Sequence, residues 1–340
     1  MPPERPLSAA HAWSAHLWWP ALALALLLAF NFAFTPGFAQ IELRDGRLYG
    51  APLDILNHGA KVMLLALGMT LVIATGGVDL SVGAVMAISA AVAAVLVNHP
   101  HVPFAVAIAA ALGVALLAGA WNGVLVAWLN MQPIVATLIL MVAGRGVAQL
   151  ITDGQIVTFT DARLSFLGSG AILGLPAPIV LAAGAWACLA ALARLTALGL
   201  FVEAVGDNPR AARCAGIGPR PVRLAAYALC GLCAGVAGLV AAGNIRCADA
   251  NNLGLMLELD AIMAVVIGGT ALTGGRLHLG GSLIGAALIQ TLTTTMYMRN
   301  VSADVATVPK ALVILAVALL QSPVARGRLR RIAGDARAAP

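Results

Sequence analysis

Charge is scarce in this sequence. Of its 340 residues only 10% are Asp, Glu, Lys or Arg, and 5% are aromatic. Soluble domains carry roughly a quarter charged residues, so a soluble fold is excluded. Several signatures of chemistry are missing as well. There is no GxxxxGK[ST] loop, so the chain does not hydrolyse ATP by a P-loop. Neither HExxH nor a GxSxG nucleophile elbow occurs. The six histidines are scattered and none has metal-ligand spacing, so neither a metal nor a cofactor is expected. Cys230 and Cys233 form a CxxC inside an apolar run, without a second pair or a nearby histidine, and read as small packing residues.

What is present is apolar length. Apolar residues make up 61% of the chain, and the mean hydropathy is +0.94. A bilayer core needs about 20 apolar helical residues. Ten runs approach that: Leu17–Phe34, Gly59–Thr75, Leu80–Val97, Pro103–Trp128, Ile134–Ile151, Leu175–Ala193, Val222–Ala242, Leu259–Leu272, Gly280–Tyr297 and Val308–Gln321. The fold class expected is an all-α polytopic membrane protein of about ten spans, some broken by glycine-rich turns. Residues 1–16 read as a tail, 17–322 as one transmembrane domain with a polar loop at 195–221, and 323–340 as a basic tail. Gly37-Phe38-Ala39 has the small-x-small look of a signal-peptidase site. The eighteen apolar residues before it exceed the usual ~7–15 of a signal peptide, so an uncleaved first span is expected.

The net charge of +6 raises nucleic acid as a partner. The arginines instead gather in 194–223 and 326–337, the pattern of positive-inside loops, and nucleic acid is set aside. With both ends inside, twelve basic residues fall on the inner side and seven on or near the outer side. Both termini are therefore expected in the cytoplasm.

The chain is organised around Ala66–Ala90, two apolar runs joined by Gly76-Gly77-Val78-Asp79-Leu80-Ser81. Asp79 is the only carboxylate between Asp54 and Asp153. A charge so close to lipid-length runs is a functional candidate, and it equally suits the N-cap of the next helix. A weak echo follows later: Gly76-Gly77-x-x-Leu80-Ser81-x-Gly83 matches Gly268-Gly269-x-x-Leu272-Thr273-x-Gly275. Both read as broken-helix turns on one path. Thr70, Thr75, Asn122, Gln149, Thr270 and Thr273 add uncharged polar groups that suit a neutral, hydroxyl-rich solute, or interhelical packing. Arg145, in Gly144-Arg-Gly146, either snorkels to an interface or faces a polar interior. Glu258-Leu259-Asp260 opens the eighth span at the outer mouth, where it could cap the helix or meet a docking protein.

Within the 195–221 loop, Asn208 suits an N-cap, Pro209 a first helical position, and Gly216 a stop. A short helix carrying Ala211, Ala212 and Ala215 is expected there. It is too short to be stable alone, so it needs a docking surface.

GMTLVIATGGVDLSVGAVMA resembles the signature of ribose/xylose/galactoside-type permeases, the membrane subunits of bacterial sugar ABC importers. The likeness continues through Thr137–Gly154, Glu203–Ile217 and Glu258–Gly285. DGRLYGAPLDILN and IRCADANNLGLMLELDAI are most similar to the galactofuranose branch. The resemblance implies a chain that is no enzyme but a sugar path in the bacterial inner membrane. It implies a second permease chain, identical or paralogous, a cytoplasmic ATPase and a periplasmic sugar-binding protein. It implies an ATPase-coupling helix in the 195–221 loop, with Glu203, Ala204, Gly206, Asn208, Pro209, Ala211, Ala212 and Gly216 as its residues. Thr75, Gly76, Gly77, Asp79, Ser81, Asn122, Arg145, Gln149, Gly268, Gly269, Thr270 and Thr273 are the candidates for the path. The alternative is an ion-coupled secondary transporter using Asp79.

Overall fold

A computed structural model describes residues 9–35, 37–40, 42–44 and 47–301, with isolated positions at 308, 311, 312 and 315. The expected span Val308–Gln321 and the basic tail therefore lie outside the described residues. Twelve helices follow in order: α1 (Ala9–Phe34), α2 (Ala51–Ala74), α3 (Val82–Val97), α4 (Phe104–Ala127), α5 (Pro133–Ile151), α6 (Ala162–Ser169), α7 (Ala177–Leu195), α8 (Leu198–Asp207), α9 (Pro209–Cys214), α10 (Pro219–Ile245), α11 (Leu257–Ile267) and α12 (Leu279–Met298). Six strands of two or three residues form three short pairs: β1 (Glu42–Arg44) with β2 (Arg47–Tyr49) and β4 (Ala171–Ile172) with β5 (Leu175–Pro176) between chain neighbours, and β3 (Val157–Thr158) with β6 (Cys247–Ala248) between segments distant in the chain. The protein is an all-α polytopic membrane protein.

Nine of the ten expected spans fall on helices. Five of these, α2, α4, α5, α7 and α10, are long and apolar enough to cross a bilayer unaided, and Trp18–Phe34 and α3 are shorter apolar helices. Boundaries differ from the apolar runs where amphipathic turns extend a helix. α2 starts at Ala51 instead of Gly59, and α1 starts at Ala9, inside the expected tail.

α10 and α2 form the centre. α10 packs on α4, α2, α3 and α6, and α2 packs on α10, α12, α7 and α11. Small residues allow this. On α4, Ala115, Gly119 and Gly123 recur every four residues and meet Tyr227, Gly231 and Leu224 of α10 backbone to backbone. A Cβ at Gly119 would collide with the Tyr227 carbonyl, and one at Gly231 with the Ala115 carbonyl. Apolar burial distinguishes little between helix contact and lipid, so close van der Waals approach decides the pairing. α2 is buried without interruption from Met63 to Thr75. α4, α5 and α7 instead turn Leu117, Val142 and Trp186 outward, as lipid-facing helices do.

α11 has only 11 residues, about 16 Å of rise against a core of about 30 Å. Ala264 pairs with Gly285 and Gly268 with Gly281 across the α11–α12 contact. That antiparallel register sets the start of α11 level with Leu292, about 9 Å short of the end of α12. The segment 249–256 therefore dips inward from the face opposite the α8–α9 loop. Irregular backbone at that depth is tolerated where protein covers it.

Candidate functional site

The two glycine breaks are built alike. α2 ends with Thr75 at its C-cap and Gly76 at φ 79. Gly76 N–H donates to Ile73 O, and Gly77 N–H to Val72 O. α11 ends with Gly268 at its C-cap and Gly269 at φ 90, closed by Gly269 N–H to Val266 O and Thr270 N–H to Val265 O. Both are left-handed glycine ends. The conformational equivalents are thus Gly76 and Gly269, one residue away from the Gly76–Gly268 echo in the sequence. The left-handed position fixes one glycine of each pair. The other is required by close approach: a Cβ at Gly77 would lie 2.5 Å from Tyr227 Oη, and one at Gly268 would strike Gly281 and Ser282 backbone.

The breaks also touch. Gly275 N–H donates to Ala74 O at 3.0 Å. Gly206 of α8 sits in the same place, and a Cβ there would collide with Ala74 O and come within 2.5 Å of Gly275 N. A Cβ at Gly274 would lie 2.9 Å from both Gly206 O and Gly76 N. Glu203, one turn earlier on α8, accepts a hydrogen bond from Leu277 N–H at 3.0 Å. Three segments far apart in sequence therefore meet through bare backbone at one face.

Beside this junction lies a buried polar group. Asp79 Oδ1 accepts from Ser81 N–H at 2.9 Å, Ser81 Oγ–H at 2.6 Å and Asn122 Nδ2 at 3.3 Å. Asn122 also donates to Ser81 Oγ at 2.8 Å, and Tyr227 Oη donates to Val78 O at 3.3 Å. Asp79, Ser81 and Asn122 are at most 1% exposed. The N-cap position of α3 falls on Ser81, two residues after Asp79. Asp79 instead closes a local turn onto that residue, the habit of aspartate before a helix.

The 195–221 loop holds two helices where a single one was expected. Asn208 is the C-cap of α8 and the N-cap of α9, accepting from Arg210 N–H at 3.0 Å and Ala211 N–H at 3.1 Å. Pro209 opens α9, and Gly216, at φ 83, follows its end. α8 escaped the sequence reading because its buried Val202 and Val205 look like the tail of an apolar run. The alanine face also needs correction. Ala212 is only 4% exposed and packs into this chain's own core, whereas Ala211 and Ala215 are exposed. Gly206 and Glu203 likewise spend their contacts inside the chain, and Ala204 is half-buried.

Arg145 and Gln149 are elsewhere. Arg145 Nη1 donates to Ala250 O at 3.0 Å and Leu253 O at 2.7 Å, and Gln149 Nε2 to Asn251 Oδ1 at 2.6 Å. Both fasten the inward-dipping segment 249–256, and neither bonds to Asp79, Ser81 or Asn122. Glu258 is buried with Oε2 against the first turn of α3 at Gly83, and Asp260 is half-buried. Thr270 Oγ1 is buried without a hydrogen bond among the described residues, while Thr273 is exposed at the junction.

A cleft of ≈260 Å³ opens on that opposite face. α2 contributes Asn57, His58 and Lys61, α10 contributes Asn244, and the dipping segment contributes Asn252 and Leu255. None of these was singled out in the sequence. The spacing of Asn57 and Lys61, one turn apart on a helix facing the interior, was the available signal.

Residues 51–320 match the family described as branched-chain amino acid transport system / permease component. The chain belongs to this permease family. It is 54% identical over 89% of its length, and 90% of the relative's, to the galactofuranose transporter permease protein YtfT of Escherichia coli (strain K12). It is 39% identical to the fructose import permease protein FruF of Bifidobacterium longum (strain NCC 2705), covering 91% of this chain and 88% of that one. Identity to the ribose import permease protein RbsC of Escherichia coli (strain K12) is 37%, covering 88% and 92%. No solved structure matches. The chain is a permease subunit of an ABC importer, a carrier of solute and not itself an enzyme.

Proposed function

We propose that this permease carries a neutral monosaccharide of the galactofuranose or ribose kind inward across the bacterial inner membrane, with both termini in the cytoplasm. Its partners are a cytoplasmic ATPase, a second permease chain and a periplasmic sugar-binding protein. The observation that carries the mechanism is the backbone junction of Gly206, Ala74 and Gly275. α9 and α8 form the loop that an ATPase would hold, and α8 rests directly on both helix breaks. Movement of the loop reaches α2 and α11 without an intervening flexible side chain. Protein backbone in such contact transmits displacement because packed interiors compress little.

The rival in which Asp79 binds a coupling ion is not favoured. Its Oδ1 is already engaged by Ser81 and Asn122 within this chain. Uncharged amides and hydroxyls elsewhere in the helices need no counter-ion and suit a neutral sugar.

The test uses α9. Ala211→Glu adds a charge to its exposed side and should leave the permease inserted and folded while reducing ATPase co-purification and sugar uptake. Ala212→Glu places a carboxylate in this chain's own core and should reduce the amount of folded permease. Ala211→Glu that binds ATPase and transports like the parent would remove α9 as the docking element. Uptake of labelled galactofuranose into vesicles, abolished without ATP and indifferent to a proton ionophore, checks the importer class.

A further inference from the structure

The cleft opposite the α8–α9 loop holds two unsatisfied groups side by side. Lys61 has neither an ion-pair nor a hydrogen-bond partner among the described residues, and it is half-buried on α2, a helix buried along most of its length. Asn57 Oδ1, one turn away on α2, is buried and also without a partner. An unpartnered donor thus lines the cavity, and an unpartnered acceptor lies closed off just behind its wall. Across the cleft, Asn244 Nδ2 is engaged by Gly168 O at 3.2 Å and Asn252 Nδ2 by Asp249 Oδ2 at 2.8 Å. Both side chains are thereby held in place with amide oxygens to spare.

An ammonium at membrane depth without a counter-ion is costly and marks a functional site. The question is what would satisfy it. A carboxylate would pair with Lys61 but would confront the lone pairs of Asn57 Oδ1. A hydroxyl accepts from the ammonium and donates to the amide oxygen at once. Several hydroxyls on one ring would repeat this with Asn244 and Asn252. The volume, ≈260 Å³, is below the ~300–1,000 Å³ of drug-sized pockets and suits a single sugar ring.

We propose that this cleft is a solute subsite within the single permease chain. It takes a neutral, polyhydroxylated ring, with Lys61 donating to one hydroxyl and the Asn57 amide turning toward the cleft so that its Oδ1 accepts from it. The inference rests on the sugar reading above and adds to it a place and a recognising pair. The site lies on the face from which a binding protein would deliver, above Met86 and beside the dipping segment 249–256. Arg145 and Gln149 hold that segment as one wall of the cleft.

The full importer, with its ATPase and binding protein, is tested in proteoliposomes. Cys247 lies on the same face, so Cys247→Ala is the background. Leu255→Cys, exposed at the cleft, is labelled with an impermeant maleimide. Excess transported sugar should slow labelling several-fold, and a carboxylated analogue of that sugar should protect less. In parallel, Lys61→Met should lower uptake about ten-fold, the loss of a charged hydrogen bond. Lys61→Gln, which keeps a donor, should retain most of it, with ATPase assembly unchanged in both. Labelling unaffected by sugar in an importer that transports would overturn the subsite, and stronger protection by the carboxylated analogue would overturn the neutral class. Parental uptake by Lys61→Met would overturn the role of the ammonium. If Lys61→Met fails to assemble, protection of Leu255→Cys decides alone. Absence of sugar uptake by the parent importer would overturn the functional reading on which the subsite stands.

Discussion

The two glycine breaks end their helices with the same turn and then diverge. After Gly76 the chain places Asp79 in a buried nest of Ser81 and Asn122. After Gly269 the corresponding position is Leu272, which is exposed. The turn is a backbone requirement, met by glycine at a left-handed angle, and it recurs. The carboxylate is a local requirement of the first break alone, where α3 must restart inside the bundle. Shared geometry therefore marks where the helices can hinge, and unshared chemistry marks what stabilises one hinge against the other. α8 touches both breaks and ties them to the loop.

The largest expected effect comes from separating the breaks from that loop. Gly206→Val forces a branched side chain into the Ala74 carbonyl and the Gly275 amide, neither of which can rotate away. Overpacking of this kind costs about 3 kcal/mol. The purified importer should show a clearly lowered thermal transition and little uptake. A parental transition would mean that α8 does not rest where both breaks meet.

Next is the carboxylate. Asp79→Leu strands Ser81 N–H and the Ser81 hydroxyl proton, leaving Asn122 only its bond to Ser81 Oγ, and should cost about 1–3 kcal/mol. Asp79→Asn keeps an acceptor oxygen and should preserve most stability and transport. Leu272→Asp, on the exposed side of the second break, should change stability by less than about 0.5 kcal/mol. Equal sensitivity at 79 and 272 would erase the distinction between the breaks.

The shared turn predicts equal costs. Gly76→Ala and Gly269→Ala each place a Cβ at positive φ, about 1–2 kcal/mol in either case. Unfolding of the two variants in detergent should match. A large inequality would show that one break tolerates another conformation and that the resemblance between them is superficial.

The smallest effect lies away from both. Asp161 caps α6, and its hydrogen bonds from Arg163 hold the carboxyl below the ordinary aspartate range, helped by the Leu164 and Arg163 amides. A carboxylate lowered on folding stabilises above its unfolded pKa of about 3.9, and that contribution is lost as pH falls through the folded value. Protection of the α6 amides, taken against their intrinsic exchange rate at each pH, should fall on acidification from neutral pH into that range, while protection at the breaks stays level. Asp161→Asn should flatten the α6 response.

Much of this molecule was legible in the chain. Apolar runs of lipid length gave the fold class, because a bilayer admits few alternatives to a helix. Asn208, Pro209 and Gly216 placed α9, since caps act on their own neighbours. Glycine pairs located both breaks. Local rules failed where a residue's partner is distant. Gly206 looked like a coupling-loop residue, and only packing showed it pressed on Ala74 and Gly275. Ala212 looked like part of an outward alanine face, and tertiary contact buried it. Arg145 could have faced Asp79, but carbonyls more than a hundred residues away hold it instead. The register of the echo shifted by one for the same reason: which glycine of a pair turns, and which yields space, depends on what lies opposite. Sequence determined where helices form and stop, through hydropathy and capping. Tertiary structure alone decided which backbones touch, because close approach needs a small residue on both sides at once, and neither side can be recognised without the other.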